Sequence, residues 1–170
     1  MFLHLNLLHL AAMVGALTCV FTALQDVRSN RPTHPGRIAV VPMWAMLPTL
    51  ILLWFQIANR QPVWVLATPF ALGLAAGAVR GITMTLKVDR DWNLVRPKGR
   101  RLLLWVSLAI PVAVAVEIAG SLVGPATALG KPLRLAGTEL VLLCAGLLIG
   151  RGVALAVRIL TAPHVQLRRN

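Results

Sequence analysis

The chain has 170 residues, of which 58% are hydrophobic and only 13% charged, with a mean hydropathy of +0.77 and a formal charge of +12. Soluble domains carry charge on about a quarter of their residues, so this composition excludes an ordinary water-soluble fold and points to segments that face lipid. The positive charge does not make a nucleic-acid binder, because the basic residues are split among short pieces between apolar runs with no folded domain to present them.

Runs of about twenty apolar residues fall near residues 2–24, 42–58, 63–86, 102–123 and 133–157. They predict an all-α, single-domain bundle of five transmembrane helices. The first run lacks a basic leader and is too long and evenly apolar for a signal-peptide core, so it reads as a retained helix. A loop with prolines and arginines (Gln25–Val41) follows it, then a tight turn at Asn59–Pro62. Between helices three and four, alternation at Thr83–Val88 and Leu94–Arg96 surrounds the turn-prone Asp89-Arg90-Asp91-Trp92-Asn93. A short β-hairpin is expected there, with an irregular charged loop as the alternative.

Orientation follows from the basic residues. Arg28, Arg31 and Arg37, then Lys87, Arg90, Arg96, Lys98, Arg100 and Arg101, then Arg158, Arg168 and Arg169 fall on one side. The other side has Arg60, Lys131 and Arg134. The positive-inside rule puts the richer side in the cytoplasm, giving N-out and C-in topology in the cell inner membrane, with anionic lipid headgroups as partners at the cytoplasmic face. Trp44 and Trp105 open helices at that face, and Trp54 and Trp64 flank the outer turn, as interfacial rings prefer.

Two helices combine glycines with arginine. Gly73, Gly77, Arg80 and Gly81 are read on one face of the third helix, and Gly146 and Gly150 followed by Arg151 and Gly152 on the fifth. Small residues at these steps let helices approach closely, so packing is the first expectation for them and for Gly120. Arg80 and Arg151 lie roughly 26 Å below the outer helix ends, near the cytoplasmic headgroups. They either snorkel or contact a substrate, a lipid phosphate or a carboxylate.

Glu117 and Glu139 lie on the small-residue stripes of helices four and five at similar depth, which makes them an intramembrane acidic pair. Facing one another they would form a proton- or cation-binding pocket; the alternative is a bond between helices, or pairing with Arg134 or Arg60. His4 and His9 do not stack on one helical face, and His34 and His164 adjoin prolines. No cofactor is predicted, though the imidazoles leave haem or pigment open. Cys19 and Cys144 differ in depth by roughly 10 Å, too far for a disulfide, and read as packing residues. No metal-ligand cluster or catalytic motif occurs, so no enzyme activity is expected.

The block GLAAGAVRGITMTLKVDRDWNLVRPKGRRLLLW, Gly73 through Trp105, resembles the central signature of the CcdC-like integral membrane proteins. It shares a glycine-rich helix ending in Arg-Gly, a charged hairpin, and a helix opening with aliphatic and aromatic residues. The resemblance makes Arg80, Gly81 and Asp89 the matching positions and implies a multi-helix fold linked by name to cytochrome c biogenesis. This chain lacks the paired cysteines that thiol transfer would need. The expected function is an accessory, assembly or structural subunit of a membrane complex of the respiratory, cytochrome or photosynthetic kind, as a homo-oligomer or with other membrane proteins. The alternative is a small proton-coupled transporter or channel for an anionic solute. In it Arg80 and Arg151 attract the anion and Glu117 or Glu139 carries the proton.

Overall fold

The five apolar runs are helices: α1 (Leu7–Ser29), α2 (Arg37–Ala58), α3 (Val63–Thr83), α4 (Arg101–Val123) and α5 (Gly130–Thr161). A two-stranded antiparallel hairpin, β1 (Leu86–Asp89) and β2 (Leu94–Pro97), joins α3 to α4. The structure is a computed structural model that describes residues 7–29, 33–89, 94–97, 101–124 and 127–161. All five helices are long and apolar enough to cross a membrane, which makes this a multi-pass membrane protein.

The helix ends depart from the sequence expectation for local reasons. α2 starts at Arg37 instead of Pro42 because Pro35 and Gly36 set a turn in which Arg37, Ile38 and Ala39 donate to the carbonyls of His34, Pro35 and Gly36. α3 stops at Thr83, where Met84 turns extended at φ −69° and ψ 143°, and the chain enters β1. α5 runs three residues further back and four further on than its apolar core, spanning 32 residues. The start of the expected first helix, residues 2–6, and the hairpin turn, residues 90–93, lie outside the described residues. Prolines interrupt α2, α3 and α4 at Pro42, Pro48, Pro69 and Pro111. Beside two of them the hydroxyls of Thr49 and Thr68 bond back to the carbonyls of Ala45 and Trp64, each at 2.7 Å.

Helices α1, α2, α5 and α4 pack in a ring, each touching the next, and α3 lies outside it against α5. The ring closes on small side chains: Ala12, Ala16, Cys19 and Ala23 from α1, Ala45 from α2, Ala113 from α4, and Cys144 and Ala145 from α5 are all buried. Lipid tails give apolar helices no hydrophobic reason to associate, so close backbone approach has to supply the packing energy. The two thiols belong to this core as free cysteines, and the Cys19 Sγ–H donates to the Val41 carbonyl at 3.6 Å.

α3 and α5 run in the same direction and touch through backbone. A Cβ built on Gly73 or Gly77 would collide with the carbonyl of Leu143 or Leu147, and one on Gly146 or Gly150 with that of Phe70 or Leu74. The hairpin buries Leu86, Val88 and Val95 against Leu155, Ile38 and Ile159, under the ends of α2 and α5. Thr33 extends it as a bridge to Val95, with N–H···O distances of 3.0 and 2.8 Å. At the other end Gly124, with φ +97°, stops α4, and Arg60 takes φ 56° in the 59–62 turn.

Candidate functional site

Polar side chains at membrane depth need partners inside the bundle, and here they gather at its two ends. At the end shared by the 59–62 turn and the loop after Gly124, Glu117 lies on the inner face of α4 with none of its side chain exposed. Its Oε1 pairs with Arg134 Nε at 3.3 Å and accepts from the Ser121 hydroxyl at 3.2 Å. Its Oε2 stands 3.4 Å from Nε2 of His9 on α1. The His9 ring stacks on Phe55 of α2, with centroids 4.7 Å apart and planes 18° from parallel. One residue along, Gln56 Nε2 donates to the Thr138 hydroxyl at 2.9 Å and to the Arg134 carbonyl at 3.3 Å. One polar cluster therefore ties together all four helices of the ring.

Two glycines make the ion pair possible. A Cβ on Gly120 would come within 2.8 Å of Arg134 Cγ and N, and one on Gly137 within 2.7 Å of the Ala113 carbonyl oxygen and 2.8 Å of Glu117 N. α4 and α5 can thus touch along this turn, and the guanidinium reaches the carboxylate from the neighbouring helix. Among the described residues, His9 Nδ1, His9 Nε2 and Glu117 Oε2 find no hydrogen bond in this arrangement. Chemically the cluster is a carboxylate shared between a guanidinium and an imidazole, which fastens helices and presents atoms able to bind a proton.

Glu139 is set around α5 from the face that meets Glu117. It shares its face of α5 with Gly146, which packs on α3, whereas Gly137, about 200° around the helix, packs on Glu117. Glu139 is half-buried, and Arg60 is exposed. Of the two partners weighed from sequence for Glu117, Arg134 is the one in contact.

The hairpin end holds a second set. Arg151 is buried, with Nε 3.4 Å from the Met84 sulfur. Beside it lies a cavity of about 30 Å³ also lined by Asp26 and Thr33, room for one water. Arg158 Nη1 donates to the carbonyls of Gly81, at 3.0 Å, and of Met84, capping the end of α3 from α5. Arg80 does not share the glycine face: Gly73, Gly77 and Gly81 are buried while Arg80 is exposed, since adjacent helical residues point about 100° apart. Asp89 is buried at the end of β1. The arginines read as equivalent from sequence thus differ, one inward and one outward.

Gln56, Ser121 and Thr138 have no part in the sequence reading, which takes His9 only as one of the imidazoles and Arg158 only as a charge that sets orientation. A signal for His9 was present: it begins the stripe His9, Ala12, Ala16, Cys19, Ala23, the spacing that also marks Glu117 on α4. Among the described residues no three histidine, cysteine or acidic side chains stand close enough to hold a metal ion. Compared with models of protein families, with curated proteins and with solved structures, the chain finds no match.

Proposed function

We propose that this chain is a small accessory subunit that assembles or supports a membrane complex, set in the cell inner membrane with its N-terminus outside and its hairpin and C-terminus in the cytoplasm. The observation that carries the reading is the one-sided attachment of α3. Its glycine face is spent on α5, and it has little contact with the other helices. Ala67, Ala71, Ala75 and Val79, four residues apart, remain exposed along the opposite face. Such steps suit a second helix at close range. The buried charges support the same reading, because Glu117 and Arg134 neutralise one another inside the ring and fasten it. The resemblance of Gly73–Trp105 to CcdC-like proteins directs the choice of complex toward cytochrome c biogenesis, within the wider class of respiratory and photosynthetic assemblies.

A photo-crosslinking residue in place of Ala71, in the full chain in its native membrane, is expected to capture one discrete membrane protein, and the same residue at Leu122 on α4 is not. Capture of lipid alone would overturn the reading. So would pH-gradient-driven anion flux in liposomes that disappears in Glu117→Gln, since that is the behaviour of the transporter.

The orientation has its own test. A reporter active only outside the cytoplasm is expected to work when fused at Asn59 or Thr127 and to fail at Arg28 or Lys87. The reverse pattern would invert the topology.

A further inference from the structure

We infer that the groove between the hairpin-end halves of α2 and α5 binds one acyl chain of an anionic phospholipid. The groove encloses about 670 Å³ and is walled by Ile38, Ala39 and Met43 on one side and by Val153, Ala156 and Leu160 on the other. Its volume falls within the roughly 300–1,000 Å³ of small-molecule sites. The floor is low because Gly152 faces Pro42, where an added Cβ would stand 3.4 Å from the proline Cγ. Every described residue lining it is apolar.

The length of the groove selects the occupant. From Ile149 to Leu160 the wall runs about 16 Å at 1.5 Å per residue, close to half of the roughly 30 Å hydrocarbon core. A transmembrane partner helix would need a seam across the whole membrane. Toward the opposite end the seam is closed, because Gln56 bonds Thr138 and Arg134 across the same two helices. A chain from a single leaflet fits a groove that ends halfway.

Charge at the mouth selects the headgroup. Arg37, which precedes the groove residue Ile38, is exposed, as are Arg28 and Lys87 at the same end. The acidic residues described there are turned inward: Asp26 is half-buried beside the Arg151 cavity and Asp89 is buried. An anionic headgroup in that leaflet therefore meets positive side chains with no exposed described carboxylate to repel it.

The test uses the full chain purified in mild detergent and titrated with phosphatidylglycerol or phosphatidylcholine, with bound lipid counted by native mass spectrometry. The wild type is expected to retain phosphatidylglycerol preferentially. Arg37→Gln should weaken that retention about fivefold, the effect of roughly one basic side chain near an anionic lipid. Ala156→Trp, which fills the groove from an exposed position, should abolish it, and Leu122→Trp on α4 should leave it unchanged. Ala39→Trp, on the facing wall, serves if Ala156→Trp does not fold. Equal retention of the two lipids, equal loss in Ala156→Trp and Leu122→Trp, or a wild-type dimer that Ala156→Trp converts to monomer would each overturn the inference. The isolated protein suffices for these measurements, so their failure leaves the accessory-subunit reading standing.

Discussion

Replacing Gly77 or Gly150 by leucine is expected to strip α3 from the bundle, with the largest stability loss of any single substitution between these helices. A Cβ on Gly77 would run into the Leu147 carbonyl and lie 2.9 Å from the Arg151 nitrogen; on Gly150 it would run into the Leu74 carbonyl, 3.0 Å from the Ala78 nitrogen. These neighbours are backbone atoms in the middle of helices and cannot swing aside as a flexible side chain would. The two helices must separate, and with them goes the close contact that substitutes for a hydrophobic driving force in lipid. Overpacking of a tight core commonly costs about 1–3 kcal/mol, and a clash with backbone at the main attachment of α3 belongs at or above the top of that range. At roughly 2–4 °C per kcal/mol for a chain of this size, the melting temperature in detergent should fall by on the order of 10 °C. Leu147→Ala, which removes atoms without entering the seam, should fall far less. If the three variants melt together, the glycine seam is not what holds α3.

Much of this architecture is legible in the residues because membrane helices announce themselves by length and apolarity. The alternation around Asp89–Asn93 marks the hairpin for the same reason: a two-residue period differs from the helical one. The spacing Gly73, Gly77, Gly81 also identifies a packing face, but assigning Arg80 to it fails, since a residue one step away points to another side and is exposed there. The polar cluster is harder to foresee. Glu117 and Arg134 are separated by a loop, and their pairing depends on α4 and α5 touching at Gly120 and Gly137, a relation between helices that no single periodicity contains. His9 comes from the far side of the sequence, and only the closing of the α1–α2–α5–α4 ring brings its imidazole to the carboxylate. Glu139 shows the converse. Similar depth on neighbouring helices suggested a pair with Glu117, whereas the azimuth around α5 sets it on the α3 side.

Removing Arg134 while keeping Glu117 is expected to damage the protein more than removing both. In the ring the Glu117 carboxylate has no contact with solvent, and among the described residues Arg134 Nε at 3.3 Å supplies the only charge opposite it apart from what His9 can offer at 3.4 Å. Taking one partner from a buried ion pair typically costs about 3–5 kcal/mol, because the other is left in a low-dielectric interior without compensation, whereas replacing both with packed neutral groups is often close to neutral. Arg134→Met should therefore lower the melting temperature in detergent by on the order of 10 °C, and Glu117→Gln with Arg134→Met should recover most of the loss. Glu117→Gln alone should fall between them: Arg134 keeps 17% of its side chain exposed and lies in the second turn of α5, from where it can reach toward the headgroups. The Ser121 hydroxyl and the Gln56–Thr138 bond remain in every variant, so the differences report on the charges and not on the loss of the whole cluster. A double variant no more stable than Arg134→Met would mean that the guanidinium matters for its packing, and that the buried carboxylate is supported by other groups.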